Sequence, residues 1–289
     1  MSKVLIFVSS LVFSGLFIIF NASAETSQST LKLVVPGSSE NQKIRNPFVD
    51  ELLKLIAHQQ NLALDIEYFA QPLQQKRALR ALSENKSINL TWSMTTKERE
   101  KDLLAVKIPI YKGLIGWRVA LIHPKAQGKF EQTDTLEELR QLVAVQRFDW
   151  PDYSIFMAND LKVEGDFSLD QMSKAVETGL ADYFPRSVLE IGRETLYQRN
   201  KNLAVDNSII IKYPTAYYFF VNKNSPQLAN TITEGFEKAI QDGSFDRLFN
   251  KHFSHLLSDL KIDKRHVIKL HNPLIFEKDL PSDKKYWLN

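Results

Sequence analysis

Segments that read as strands and segments that read as helices alternate along this chain in two separate series. That alternation constrains the fold more than any other feature. In the first series, Leu31–Val35 is a short apolar strand ended by Pro36-Gly37. Asn46-Pro47 then opens a helix, with Asn as N-cap and Pro in the first turn, where its missing N–H costs nothing. Phe48, Leu52, Leu55 and Ile56 give that helix one apolar face. Leu62–Tyr68 reads as a strand, Gln74–Asn85 as a basic amphipathic helix and Ile88–Trp92 as a third strand. This order predicts a parallel sheet with right-handed crossovers. The second series has helices at Leu136–Leu142, Pro151–Asp160 and Leu169–Leu180, and strands at Val143–Gln146, Lys162–Glu164 and Ala181–Phe184.

Two long stretches rich in β-branched and aromatic residues, Leu114–His123 and Ser208–Val221, join the two series. The chain therefore crosses into a second unit and returns, and the first unit is discontinuous. The implied division places residues 25–117 and 213–257 in lobe 1 and 118–212 in lobe 2. Within it, Asn224-Ser225-Pro226 caps a long helix to Gln241, and Ser244–Phe253 forms another. Residues 258–289 form a C-terminal extension packed on the surface, because Val267, Ile268, Leu270, Leu274, Ile275 and Phe276 are too apolar for a free tail. Two α/β lobes on two crossover strands describe a hinged clamp whose ligand lies between the lobes.

Lys3, the apolar run Val4–Phe20 and Ala22-Ser23-Ala24 supply the basic start, apolar middle and small-x-small end of a secretory signal peptide, residues 1–24, cleaved after Ala24. The sequence has no cysteine. That excludes a disulfide framework, a thiolate zinc site, a cysteine nucleophile and a lipid anchor on an N-terminal cysteine. Export without lipidation points to the periplasm. Lys+Arg 37 against Asp+Glu 34 leaves a net charge of +3, too small a bias for nucleic acid as the main partner. There is no G-x-S-x-G, no P-loop and no G-x-G-x-x-G after a strand. His252 and His255 share a helix face but lack a carboxylate motif beside them, so no metal or other cofactor is implied. The basic face of Gln74–Arg80 reads as solvated.

Thr95 and Glu98 form an S/T-x-x-E capping box that starts a helix just after a strand. Such an N-terminus suits a carboxylate or phosphate. Arg99 adds a fork of donors that can hold a carboxylate bidentately; the other reading pairs it with Glu98 or Glu100. Together with Pro109-x-Tyr111, the segment Thr91–Arg99 resembles the T-x-x-R…P-Y segment of the type 2 periplasmic solute-binding proteins, in particular family 3, the polar amino-acid group. Val143–Tyr153 sits where that family has a V-G-V-x-x-G-T loop, without its glycines. Gly179–Tyr183 is similar to its G-r-x-D-A strand, and Tyr218–Phe253 to its closing helices. Lys112–Arg118, Trp150-Pro151-Asp152, Asp182–Arg186 with Glu190, and Asn272-Pro273 with Trp287 resemble a proteobacterial subgroup of transporter substrate-binding proteins.

The resemblance implies an α/β, two-lobed Venus-flytrap fold, a periplasmic binding protein of type 2. Such a protein captures a small polar, carboxylate-bearing ligand by hinge closure, works as a monomer and delivers the ligand to an inner-membrane permease. A sensing or accessory module docking on a membrane receptor is the alternative. So is a dehydratase-like enzyme with Glu190 or Asp152 as its acid or base. Arg99 matches the family's carboxylate-binding arginine, with Trp92, Ser93, Thr95 and Thr96 beside it. The family's ammonium-binding aspartate falls at Ser187, preceded by Arg186. A donor or a cation there favours a ligand of extra acidic or polar character, unless Arg186 pairs with Glu190 one turn on. Trp150 either stacks on a ligand ring or pads the cleft, and Asp149 or Trp150 caps the helix at Pro151. Arg118 is either at the cleft mouth or structurally paired. Tyr111, Trp117, Asp152 and Tyr183 complete the candidate ligand-binding group.

Overall fold

The computed structural model describes residues 29–37, 46–194 and 200–288; the signal segment, residues 1–24, lies outside them. Lobe 1 begins with β1 (Thr30–Gly37), α1 (Pro47–Gln59), β2 (Ala63–Pro72), α2 (Gln75–Ser83), β3 (Thr91–Met94), α3 (Lys97–Asp102) and β4 (Leu103–Val106). The chain then crosses into lobe 2 as β5 (Trp117–Ile122), α4 (Gln127–Phe130), α5 (Leu136–Leu139), β6 (Val143–Val145), α6 (Pro151–Met157) and β7 (Lys162–Glu164). Lobe 2 continues with α7 (Leu169–Glu177), β8 (Tyr183–Ser187), α8 (Val188–Glu194), β9 (Ala204–Val205) and β10 (Ile209–Lys212). The return to lobe 1 supplies β11 (Tyr217–Asn222), α9 (Pro226–Gln241) and α10 (Ser244–Asp259), and a last strand, β12 (His266–Lys269), follows.

Lobe 2 has one mixed sheet, and lobe 1 has two sheets, one parallel and one antiparallel, where alternation alone predicts parallel ones. β1 and β2 are parallel, as are β6 and β7. β11, arriving from lobe 2, lies between β3 and β4 and antiparallel to both. β5, arriving from lobe 1, lies antiparallel to β8 and β10 in the order β12-β10-β5-β8-β6-β7. Each crossover strand enters its new sheet from the hinge side, against the direction of its neighbours. In lobe 1, Asn89 ties β1 to the segment before β3: Val34 N donates to Asn89 Oδ1 (2.8 Å) and Asn89 N to Val34 O (2.9 Å).

α1 starts as its sequence requires, with Asn46 Oδ1 accepting from Val49 N at 3.3 Å and Pro47 next. Its buried face of Phe48, Leu52 and Ile56 packs on α9 and α10 around Phe236, Phe245 and Phe249. Each such side chain contributes about 1.5–3 kcal/mol by leaving water. Gly235 sets the helix spacing, because a Cβ there would stand 2.5 Å from Ile56 O. In lobe 2, Phe130, Leu139, Ile155, Phe156 and Tyr183 form the core beneath the sheet. No described helix is long and apolar enough to cross a membrane.

Residues 258–288, expected on the surface, are woven into both lobes. β12 runs parallel to β10 from Ile209↔His266 to Lys212↔Lys269 and extends the lobe 2 sheet. Ahead of it, buried Arg265 donates to Leu260 O (2.7 Å), Asp206 O (2.5 Å) and Ile209 O (3.1 Å). Beyond it, Asn272 Nδ2 donates to Pro214 O in the return crossover (2.9 Å), and Lys97 N of lobe 1 donates to Leu274 O (2.9 Å). Leu288 N then donates to Lys112 O in the first crossover (3.0 Å). Trp287 lies over Gly113, whose φ of 84° and lack of a Cβ let the indole approach. The tail thus touches both lobes and both crossovers. Arg265→Ala leaves three carbonyls and Asp206 without their cation. Urea denaturation is expected to show a loss of about 3–5 kcal/mol, and a loss under 1 kcal/mol would show that this anchor is dispensable.

Candidate functional site

The cleft lies between α2, α3 and β3 of lobe 1 and the 147–150 loop, α6 and α8 of lobe 2. On the lobe 1 side the helix cap falls one residue later than its box suggests. Thr96 Oγ1 accepts from Arg99 N (3.1 Å), while the Thr95 hydroxyl bonds to Glu100. Thr95 is held in extended structure by its own N–H, which donates to Ala216 O (2.8 Å), so the cap passes to its neighbour. α3 has six residues, and two of its first N–H groups are already engaged, Lys97 N by Leu274 O and Arg99 N by Thr96. An anion finds side-chain donors here rather than a free helix end.

Arg99 is half-buried. Its Nη1 donates to Ser93 Oγ (2.8 Å) and Met94 O (2.6 Å), and its Nη2 to Gln75 Oε1 (2.9 Å). No carboxylate among the described residues pairs with it; Glu100 is taken by Lys107 and Thr95. Burial holds its pKa below the ordinary arginine value, while Tyr217, Glu98 and Asp152 pull weakly the other way. Tyr217 lies close enough to interact with it electrostatically. Burial first, and then Glu190, push its phenol up to about 12, against Arg99 and Gln75. Buried Tyr111 accepts from Asn46 Nδ2 (2.8 Å).

On the lobe 2 side, charges meet in a network. Arg118 Nη2 lies 2.7 Å from Asp152 Oδ1, its Nε donates to Tyr213 OH (2.7 Å), and its Nη1 is 3.5 Å from Glu190 Oε2. Tyr213 donates in turn to Asp152. Burial alone would lower the arginine's pKa, but Asp152, Tyr213 and Glu190 together hold it above its ordinary value. Arg118 and Asp152, 4% and 5% exposed, are therefore partners of each other. Arg186 pairs with Glu190 Oε1 (3.2 Å), with its guanidinium 4.9 Å from the Phe184 ring and 5.2 Å from the Trp150 ring. Ser187 is fully buried. Glu190, its side chain 42% exposed, bridges both arginines.

Trp150 occupies the N-cap position of α6 without a side-chain cap, and Asp149 pairs with Arg147 (2.8 Å), which lowers its pKa. Trp117 is half-buried under Lys212 Nζ, 3.4 Å from the ring centroid. Tyr183 stands apart from the group, fully buried against Phe130 in the lobe 2 core. Of the other candidates, Trp92, Tyr111, Arg99 and Trp150 line two cavities, and Ser93, Thr95, Thr96, Trp117, Arg118, Asp152 and Arg186 line neither. One, of about 360 Å³, is lined by Asn46, Phe48, Trp92, Tyr111, Leu189, Glu190, Tyr217, His252 and Phe253. The other, of about 800 Å³, is lined by Gln75, Lys76, Arg80, Glu98, Arg99, Arg147, Phe148, Trp150 and Leu169. Gln75, Tyr213 and Tyr217 were not anticipated, because Gln75 sits in a helix face that reads as solvated and the two tyrosines in a crossover that reads only as β-rich. Among the described residues no group of His, Asp or Glu is placed to hold a metal ion.

Solved structures share this architecture. A probable amino-acid ABC transporter extracellular-binding protein from Bacillus subtilis superposes with a TM-score of 0.57 at 14% identity, over 78% of this chain and 98% of its own. An ancestral arginine-binding protein bound to arginine gives 0.55 at 16% identity, over 78% and 99%. An ancestral amino acid-binding protein described as a precursor of cyclohexadienyl dehydratase gives 0.54 at 15%, over 78% and 96%. The fold is that of the two-lobed amino-acid-binding proteins. No protein-family model matches the sequence, and no curated protein matches it significantly. These neighbours are almost wholly covered, while about a fifth of this chain has no counterpart in them.

The buried pair sets a stability expectation. Asp152→Ala strands the Arg118 guanidinium and should cost about 3–5 kcal/mol in urea denaturation, whereas Arg118→Met with Asp152→Leu should recover to within about 1 kcal/mol of wild type. Equal losses in the single and double variants would show that packing, not charge, holds this junction.

Proposed function

We propose that this chain is a periplasmic solute-binding protein that captures a small, carboxylate-bearing ligand between its lobes and passes it to a membrane transporter. One observation carries the reading: Arg99 stands half-buried in the inter-lobe cleft with no carboxylate partner among the described residues. Burying a guanidinium without an anion is unfavourable, and a ligand carboxylate removes that cost through charge-assisted, bidentate bonds. The lobe 2 arginines do not compete for it, since Asp152 and Glu190 already balance Arg118 and Arg186. Lobe 1 therefore holds the ligand's acid group, and lobe 2 offers Trp150 and the outer face of Glu190.

Closure follows from that division. A ligand seated on Arg99 in the open form gains its lobe 2 contacts only when the lobes approach, so it favours the closed state by the free energy of those contacts. The same commitments weigh against a dehydratase-like enzyme. Asp152 and Glu190, the acid or base candidates, are each held by arginine, whereas proton transfer needs a group poised to give or take a proton.

A thermal-shift screen of residues 25–289 against amino acids, dicarboxylates, oligopeptides and aromatic acids tests the reading. At a hundredfold excess over Kd, ligand binding adds about 2.7 kcal/mol, or roughly 5–10 °C for a chain of this size. Arg99→Ala should remove the shift while the unliganded Tm changes little. A full shift retained in that variant would overturn the assignment of Arg99.

A further inference from the structure

The tail passes from lobe 2 to lobe 1 in a short run of residues whose bonds differ in kind at the two ends. On the lobe 2 side, Leu270 N donates to Lys212 O (2.8 Å) just past β12. Asn159, just past α6, holds the next peptide: its Nδ2 donates to Ile155 O and His271 O (both 2.7 Å), and its Oδ1 accepts from His271 N (2.9 Å). Asn272 donates to Pro214 O (2.9 Å) and accepts from Leu274 N (3.0 Å). Asn159 and Asn272 are 7% and 1% exposed, so losing these partners would strand polar groups in the interior. On the lobe 1 side, Lys97 N donates to Leu274 O (2.9 Å), Lys97 Nζ donates to Pro273 O (3.2 Å), and the same ammonium lies 3.5 Å from the Phe276 ring centroid. Lys97 and Phe276 are both exposed, so a bond broken here is replaced by one to water.

We propose that Asn272–Leu274 is a third crossover between the lobes, fixed at its lobe 2 end and releasable at Lys97, and that it positions Arg99. Lys97 is the first residue of α3 and Arg99 the third, and Arg99 reaches back to Ser93 and Met94 in β3. The strap therefore ties the helix that carries Arg99 to the end of α6, the lobe 2 helix that carries Asp152. While Lys97 is held, a shift of lobe 2 is passed to α3. Once Lys97 lets go, α3 is released from lobe 2 at this point, and the buried asparagines keep the strap in place for rebinding. The carboxylate-binding reading enters only in the role given to Arg99.

Amide hydrogen exchange on unliganded residues 25–289 tests the two ends. The first N–H groups of a helix have no intrahelical acceptor, so Lys97 exchanges at the free-peptide rate unless Leu274 holds it. Its exchange should be roughly tenfold slower than that, and the exchange of His271 slower still. Free-peptide exchange at Lys97 overturns the third crossover, and protection of Lys97 equal to that of His271 overturns the releasable end. Lys97→Pro tests the positioning, because it removes the donor and the ammonium together. Proline suits the first helical position, and Thr96 before it is already extended (φ −145°, ψ 156°). The chain has no cysteine, so nitroxides on Lys101→Cys of α3 and Asp166→Cys of lobe 2, both exposed positions, report that one distance by electron spin resonance. Lys97→Pro should broaden its distribution, and Lys97→Arg, which keeps both groups, should retain the wild-type width. Equal widths in wild type and Lys97→Pro overturn the positioning of α3, and so does a broadening in Lys97→Arg as large as in Lys97→Pro. Neither measurement involves a ligand, so the carboxylate reading stands or falls separately, by the thermal-shift screen.

Discussion

The buried pair of Arg118 and Asp152 is the junction on which the two-lobed arrangement rests. Arg118 opens β5 as the chain enters lobe 2, Tyr213 follows β10 as it leaves, and Asp152 lies in the first turn of α6 beside the cleft loop. One ion pair with its phenol therefore fixes both crossovers against the helix that carries Trp150. Arg118 and Asp152 are almost inaccessible to solvent, so their attraction is little weakened by water or salt, and their hydrogen-bonding groups are turned onto each other. A pair of this kind specifies geometry more than it adds stability, and geometry is what a hinge requires.

That junction also explains the charge pattern of the cleft. Among the described residues of lobe 2, Arg118 pairs with Asp152 and Glu190, and Arg186 pairs with Glu190. On the lobe 1 side, Arg99 has no carboxylate partner among the described residues. The chain's net charge of +3 is spread over the whole molecule and has little to do with it. Sequence reasoning assigned an acidic-ligand preference partly to Arg186; the structure shows that residue stacked on Trp150 and Phe184 and neutralised by Glu190.

The two-lobed alternation was legible because strand and helix periodicities are local, and so was the start of α1, where Asn-Pro and the apolar spacing agree. Strand direction was not, because it depends on where a crossover strand inserts among partners distant in sequence, as β5 and β11 do. The cap of α3 was misplaced by one residue because two adjacent threonines carry the same local signal, and a bond from Thr95 to Ala216 across the sheet decides between them. β12 is four residues long, too short to announce itself amid apolar neighbours. The candidate site was partly legible. Arg99, Trp92 and Trp150 converge on the cleft, while Tyr183 points into a core that the alternation of β8 alone does not distinguish from it. Gln75 carried no signal, since a glutamine on a charged helix face is ordinary until a partner some twenty residues on reaches back to it.

The C-terminal tail changes the mechanics of the joint. Its bonds to Pro214, Lys97 and Lys112, with β12 fixed to lobe 2, make it a third member that spans the same gap as the two crossovers. Members that bridge one joint side by side act as springs in parallel, and their stiffnesses add. The lobes of this chain are consequently tied together at more points than the two crossover strands alone would supply.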